Sequence, residues 1–380
     1  MREPVVILGG GIGGLACAVA LQKHGLACHV FEQAPRLEEV GAGLLLTPNA
    51  VAVLEALNLL AQLRPHALIT PAWHILDPQG RDLQVLRPFP SGQPALSTRR
   101  SDLQRVLAGA LAGESLHLDH EATSLVLQQD GVRVRFRDRA DVVAPLVVVA
   151  DGAASRLRRA LPRARPLRDQ GYVGWRALVD RAPAGWSDGR VTETWGSGRR
   201  FGIAAVGGGR TYWYASANTD LIEPYNALSR RELLAGLFHG WHAPVEELIA
   251  ASDDEAVLQH PIADSGPIAS WSAWGRVAML GDAAHPLTPN LGQGAAMALE
   301  DAWTLARCLA TDRPIDKALK HYRQHRRGRV AVVWAASRLL GQVIQVTEPW
   351  QEALRAAVLR ATPDRLASAT LRRLFRFATD

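Results

Sequence analysis

Three short stretches of this chain set glycine beside an acid. The first is Gly9-Gly10-Gly11-Ile12-Gly13-Gly14, with a carboxylate following at Glu32; the others are Asp151-Gly152 and Gly281-Asp282. Gly9, Gly11 and Gly14 have the spacing GxGxxG. The first glycine permits a tight turn, the second lets backbone approach a pyrophosphate, and the third lets helix and strand pack closely. A helix starting at such a turn offers unpaired N–H groups and the positive end of its dipole to phosphate. Glu32 is placed to accept hydrogen bonds from a ribose 2′-hydroxyl and repels a 2′-phosphate. A glycine-rich turn alone is weak, and Asp-Gly is a common turn pair. The flanking elements decide.

Val5-Val6-Ile7-Leu8 reads as a buried strand, Leu15 to His24 as an apolar helix stopped at Gly25, and Ala27 to Phe31 as a second strand ending at Glu32. This is a βαβ unit, and with the glycines it implies dinucleotide binding. Leu44-Leu45-Leu46 follows as a strand, and Pro48-Asn49 opens a helix expected to reach about Leu60. A hairpin turning at Pro78-Gln79-Gly80 breaks the rhythm and starts a second sheet. Ser97 to Leu111 returns to helix, with Ser101 as its expected N-cap. Asp130-Gly131 marks another hairpin, and Leu146 to Ala150 is an apolar strand leading into Asp151.

From Gly171 to about Pro267, short strands alternate with Gly-rich turns, which reads as a mostly antiparallel module. Arg276 to Leu280 is again a buried strand, a long helix starts near Ala295, and the remainder is helical with a break at Thr362-Pro363. The expected fold is α/β. A discontinuous Rossmann-like dinucleotide domain spans 1–70, 98–170 and 268–345. Into it is inserted a β-sheet substrate domain, 71–97 and 171–267, and 346–380 forms a C-terminal helical segment.

With 48% hydrophobic and 21% charged residues, the composition is that of an ordinary soluble globular protein. No apolar run reaches the length of a membrane span, so stable membrane insertion is not expected. The first strand begins too near Met1 for a signal peptide, which points to the cytoplasm. Cys17, Cys28 and Cys308 lack ligand spacing and are expected as buried reduced thiols, with no metal. The net charge of +6 is largely arginine and suits anionic small molecules. No basic strip interleaved with aromatics suggests nucleic acid. The run His321 to Arg329 is expected to be a solvated helix face.

On these residues the sequence resembles the class A flavoprotein monooxygenases, the para-hydroxybenzoate hydroxylase-like family. The resemblance is carried by GGGIGGLACAVALQKHGLACHVFEQA, STRRSDLQRVL, VVVADGAASRLRRAL and RVAMLGDAAHPLTPNLGQGAAMALEDA. GAGLLLTPNA and YVGWRALV are similar to the branch holding salicylate, 3-hydroxybenzoate and urate hydroxylases. The resemblance covers about residues 4 to 345 and implies an FAD-binding domain. It puts Glu32 on the adenosine ribose, Arg100 (or Arg99, one residue earlier) near the flavin ribityl and phosphate region, and Gln104 on the same helix face. It also puts Asp282 on the ribityl hydroxyls, Asp151 in a loop ordered against the flavin, and Pro289, Gly292, Gly294 and Ala295 at the flavin itself. There a helix N-terminus stabilises the negative charge that builds on reduction. His285 is expected to be a structural hydrogen-bonding residue.

The resemblance further implies that NADH or NADPH reduces FAD and that dioxygen then forms a flavin C4a-hydroperoxide, which hydroxylates an aromatic or heteroaromatic ring. Nothing fixes a 2′-phosphate site, which inclines the choice to NADH. In the urate hydroxylase relatives an arginine and a tyrosine line the substrate site. They match Arg200 and Tyr212, which the turn Gly207-Gly208-Gly209 is expected to bring to one end of a hairpin. The alternative is that Tyr212 and Tyr214 are packing aromatics and Arg200 a solvated turn residue. Leu44-Leu45-Leu46 lacks the histidine of hydroxynicotinate-type relatives, which implies a less polar ring face. A monomer or homodimer is expected. Other readings are a flavin epoxidase or hydroxylase of an isoprenoid or polyketide, a flavin reductase, and a non-catalytic dinucleotide-binding protein. The last has no need of the Pro289 to Ala295 loop.

The purified protein is therefore expected to be yellow and to release FAD rather than FMN on denaturation. Asp282→Ala should lose most of the bound flavin, because a charge-assisted hydrogen bond contributes roughly 1.5–3 kcal/mol. A colourless protein that takes up no FAD on reconstitution would refute this reading.

Overall fold

Val5–Leu8, buried along its whole length, runs at the centre of a six-stranded sheet. The order across the sheet is Ser272–Ala273, Val277–Met279, Val147–Val149, Val5–Leu8, Cys28–Phe31 and Leu116–His117. All neighbours are parallel except the first pair. Parallel pairing buries both faces, which is why these strands read as unbroken Val, Ile and Leu. It also brings the chemistry to one edge. Gly9, Glu32, Asp151 and Gly281-Asp282 each follow the C-terminal end of a parallel strand, where ligands of such sheets bind. The computed structural model describes residues 3–37, 42–87, 89, 94–161, 165–181, 183, 186, 189–225, 227–266 and 271–379; Gly41 and Pro267 lie outside them.

The second large sheet has seven strands, in the order Leu258–Asp264, Arg168–Val179, Arg210–Asn218, Arg199–Val206, Val191–Trp195, Trp73–Leu76 and Asp82–Leu86. Its pairs are antiparallel except Val191–Trp195 with Trp73–Leu76, which are parallel. Side chains alternate across it. Trp175, Phe201, Ile203 and Trp213 pack on one face with Leu234 and Leu248 from the helices Arg230–Leu237 and Val245–Ala250, and with Phe238 just after the first. The other face is turned to a cavity. Gly43–Leu46, Ala95–Arg99 and Ala67–Thr70 form a small third sheet, and Ala122–Leu127, Val132–Phe136 and Val142–Ala144 a fourth.

Local expectations shift at three places. The helix opened by Pro48 ends at Ala56, and Asn58 takes a left-handed conformation (φ 61°) before the chain turns again at Leu60–Leu63. Ser97 lies in a strand, and the helix after it spans Arg100–Gly109 with Arg99 rather than Ser101 at its N-cap. All three cysteines are buried free thiols, and burial pushes the Cys28 thiol up to about 12.

The basic run from His321 departs furthest from expectation. Within the helix Ile315–Ile344, Arg326 is fully buried and Arg329 is mostly so. Both meet Glu300 and Asp301 on the helix Gly294–Leu309. Arg326 Nε donates to Asp301 Oδ1 at 2.7 Å and its Nη1 to Glu300; Arg329 donates to both Glu300 oxygens at 2.5 and 2.6 Å. Only Arg327 and its like on the outer side are solvated, because a helix presents a different face every residue. Burial raises the cost of ionising Asp301, yet His285 and Arg326 outweigh it and hold the carboxyl below its usual range.

At the far end, the helices Pro349–Ala361 and Asp364–Leu374, separated at Thr362-Pro363, cover the edge strand Asp82–Leu86. Ser368 Oγ accepts from Arg87 N at 2.9 Å, and Gln84 Nε2 donates to the carbonyls of Leu359 and Thr362. Edge strands covered in this way do not template further pairing. Among the described residues no helix is long and apolar enough to cross a membrane.

Arg326→Ala should lower the unfolding free energy by about 3–5 kcal/mol, because it leaves Asp301 buried without its guanidinium and Glu300 with Arg329 alone. Arg327→Ala, on the solvated side, should change it by less than about 0.5 kcal/mol. Denaturant midpoints of the two variants check this, and equal effects would refute it. Asp301 is depressed in the fold, so its contribution is complete above the unfolded value of about 4 and lost as pH falls through the folded one.

Candidate cofactor and substrate site

The glycine-rich turn is shaped by three separate constraints. Gly9 has φ +113°, and a Cβ there would sit 2.5 Å from the Ala150 carbonyl oxygen. A Cβ at Gly14 would overlap the Gly9 carbonyl oxygen, so strand and helix meet only through glycine. Gly11 differs. A Cβ there would meet only the terminal nitrogen of Arg100, at 3.9 Å, so protein packing does not require the glycine and the space it leaves belongs to the cavity. Glu32 closes the turn, accepting from Gly10 N at 2.5 Å and Ala34 N at 2.9 Å. Gln104 donates to the Gly10 carbonyl at 2.8 Å. It braces the turn from behind, and neither Gln104 nor Gly14 lines the cavity.

That cavity, about 860 Å³, runs from the glycine-rich turn to the open face of the seven-stranded sheet. Gly9, Gly11, Glu32, Arg100, Asp151 and Asp282 line it, as do Pro289, Gly292, Gly294 and Ala295. Packing places Arg99 and Arg100 differently. Arg99 clamps Asp102 with two hydrogen bonds of 2.6 and 2.7 Å, leaving Arg100 to face the cavity. Burial lowers the Arg100 guanidinium, and Arg176 acts in the same direction while Asp282 opposes both. Asp282 is open to the cavity but enclosed by protein elsewhere. Burial raises its carboxyl, with His285, Arg100 and Arg158 holding it back.

Two helices, Ile12–Lys23 and Gly294–Leu309, begin at this cavity, and neither has a side chain capping its N-terminus. Their first-turn N–H groups are available to a ligand. Gly292, at φ +62°, turns the chain into the second of them. These features fit FAD: a Cβ-free cradle at Gly11, a carboxylate at the adenosine end, and a cation, Asp282 and a second helix terminus further along.

His285 lies behind Asp282, with Nε2 2.5 Å from Asp301 Oδ2, which also accepts from Gly281 N at 2.9 Å. Gln293 and Asn49 extend the same network. Asn49 Nδ2 donates to Gln293 Oε1 at 2.9 Å and to Glu300 Oε1 at 2.7 Å, and Gln293 Nε2 donates to Thr47 Oγ1 at 2.8 Å. The flavin-end loop is thus tied to the buried ion pairs.

At the sheet end, Arg200 and Tyr212 both line the cavity but do not share an end of their hairpin. Arg200 pairs with Ser216, and Tyr212 with Ala204, near the turn. Four positions of strand separate them, about 13 Å, because the turn is at the Tyr212 end and Arg200 begins the strand. Nor is Arg200 a solvated turn residue; it is 3% exposed.

Its neighbours are Glu193, which motif reading missed, and Tyr214, which it weighed as a packing aromatic. Glu193, 2% exposed, lies 3.5 Å from Arg200 Nη1, receives 2.6 Å from Trp195 Nε1, and accepts from the Tyr214 hydroxyl. Gly202, paired between Glu193 and Tyr214, leaves room for the Tyr214 ring, which the Arg200 guanidinium approaches to 5.7 Å. Burial and then Glu193 raise the Tyr214 phenol well above its usual value. Burial opposes the Arg200 charge, but Glu193 more than compensates. The signal for Glu193 was a lone acid in the buried run Val191–Trp195.

The FAD-binding-domain family matches residues 2–337. The aurachin C monooxygenase/isomerase of Stigmatella aurantiaca is 35% identical over 375 residues, 97% of each chain. The FAD-dependent urate hydroxylase of Klebsiella pneumoniae is 32% identical, covering 92% of this chain and 94% of its own. The 2-heptyl-3-hydroxy-4(1H)-quinolone synthase of Pseudomonas aeruginosa is 31% identical over 98% and 97%. Among solved structures, Klebsiella pneumoniae HpxO complexed with FAD and uric acid superposes with a TM-score of 0.90 at 27% identity, over 98% of this chain and 97% of that one. A match running from the first strand into the long helix, with relatives of this kind along nearly the whole length, establishes that the chain belongs to the FAD-binding-domain family and is an FAD-dependent flavoprotein monooxygenase.

Proposed function

We propose that this enzyme hydroxylates an uncharged aromatic or heteroaromatic ring, with NAD(P)H and dioxygen as co-substrates. The observation that carries the proposal is the Glu193–Arg200 pair, which neutralises the Arg200 guanidinium that would otherwise hold an anion there. The Arg200 guanidinium lines the cavity, with its Nε and Nη1 enclosed by protein and Nη1 3.5 Å from Glu193. Leu44, Leu45, Trp73 and Ala204 supply apolar walls. The quinolone named for the Pseudomonas relative is a ring of this kind, uncharged and carrying an alkyl chain.

Bound FAD supplies the electron storage and the oxygen chemistry. Glu32 would hold the adenosine ribose, and Asp282 and Arg100 the ribityl and phosphate region. The N–H groups around Gly294 and Ala295 would favour negative charge at the adjoining edge of the flavin. Asp151 lines the cavity; burial raises its carboxyl, which a hydrogen bond with Ser155 partly offsets. Arg200 and Tyr214 would orient the ring, and Tyr212, packed over Gly43, would close the cavity on the flavin side. We also propose the division into an FAD domain of 1–70, 98–170 and 268–345, a substrate domain of 71–97 and 171–267, and a helical segment of 346–380. The strand membership of the two large sheets supports it.

Holoenzyme titrated with 4(1H)-quinolone and with 4-hydroxybenzoate tests the charge reading. The wild type should prefer the neutral ring, and Glu193→Gln should move the ratio of affinities toward the anion by about tenfold, or 1.4 kcal/mol. Glu193→Gln with Arg200→Gln should return it toward wild type, since the net charge is restored. A ratio unmoved by Glu193→Gln would refute the proposal. Separately, Arg200→Ala or Tyr212→Phe should keep FAD but uncouple NAD(P)H oxidation from product. Wild-type yield per NAD(P)H on the true substrate in both variants would exclude them from the ring site.

A further inference from the structure

The C-terminal helices turn an unusual face outward. On Pro349–Ala361 the outward residues include Trp350, Leu354 and Val358, which are 63%, 56% and 54% exposed and repeat at the spacing of one helix face. One of the three charged residues of that helix goes the other way. Arg355 is buried, donating to the carbonyls of Ile344 at 2.7 Å and Gly196 at 3.0 Å. The long helix repeats the inversion with Val332 and Leu339, 58% and 62% exposed, and the last helix adds Leu366 at 61%. Inner residues of all three helices, among them Leu340, Leu359 and Leu371, pack on one cluster with Trp73, Ile75 and Leu83. The inner sides of the three helices therefore share one cluster, and the exposed residues are those left outside it. Single exposed hydrophobics are ordinary, but a tryptophan, leucine and valine repeated along one helix face mark an interaction site.

The charges beside this surface select the occupant. Arg365, Arg372, Arg373 and Arg376 are exposed and have no carboxylate partner among the described residues. A second copy docked through the same face would bring these arginines toward their own equivalents. An anionic bilayer complements them, and apolar residues with an exposed tryptophan, flanked by arginine, suit the interface between headgroups and acyl chains. We infer that the outer face of the C-terminal helices docks the enzyme on the surface of an anionic lipid membrane, without spanning it. The inference rests on the surface alone and is independent of the ring substrate.

Holoenzyme sedimented with vesicles of phosphatidylglycerol and phosphatidylcholine, or of phosphatidylcholine alone, tests it, alongside sedimentation velocity without lipid. Binding should require phosphatidylglycerol and weaken with salt. It should fall about tenfold in Trp350→Ser/Leu354→Ser/Val358→Ser and severalfold in Arg365→Gln/Arg372→Gln/Arg373→Gln, with the flavin spectrum unchanged. If the first variant does not fold, the arginine variant decides. No vesicle binding overturns the inference, as does a dimer that the serine substitutions dissolve without any lipid binding. Equal binding to pure phosphatidylcholine overturns the choice of an anionic surface.

Discussion

Arg326 and its neighbour Arg329 reach across from one helix to hold two adjacent carboxylates, Glu300 and Asp301, on another, and much of the site hangs from that contact. Asp301 receives the Gly281 amide and His285, which fixes the turn carrying Asp282. Glu300 receives Asn49, which holds Gln293 just ahead of the Gly294–Leu309 helix. Buried ion pairs are often no better for stability than a well-packed apolar core. Here the carboxylates do more than pair, because each also accepts from the chain that shapes the cavity. The network thus converts the packing of two helices into the position of a helix terminus and an acid.

The opposite end of the cofactor cavity is built differently, almost without side chains. Gly9 and Gly14 are needed because the strand, the helix and Ala150 approach too closely for a Cβ, while Gly11 is needed only if something fills the space beside it. The distinction matters for function. A glycine demanded by packing reports the fold, whereas one that packing does not demand reports a ligand. Neutral backbone cradles one end and paired charges organise the other, and both terminate helices at the same cavity.

Between the sheets, two of the arginines are offset by acids. Arg200 faces Glu193, and Arg100 feels Asp282. Among the described residues, Arg176 has only His260 within hydrogen-bonding reach, at 3.4 Å. A site with cations at one place and a neutralised arginine at another can hold an anionic cofactor and an uncharged ring together, since each finds the field it needs. The enclosed setting strengthens these interactions relative to water.

The fold class and the cofactor end were legible in the residues because they depend on local rules. Periodicity places strand and helix, glycine spacing shapes the turn, and an acid at a strand end needs no distant partner to be recognised. The parallel order of Val147–Val149, Val5–Leu8 and Cys28–Phe31 then makes the three motifs converge. What the residues could not show was anything set by register or by which side of a helix faces in. Arg200 and Tyr212 were separated by hairpin register, Arg99 was taken from the site by Asp102, and Glu193 became significant only when Gly202 and Tyr214 were paired beside it. Arg326 within a basic run, and Trp350 on the outside of its helix, read alike as sequence. Only tertiary packing decides which of them meets a carboxylate and which meets solvent, because burial is a property of the neighbours a face acquires and not of the residue.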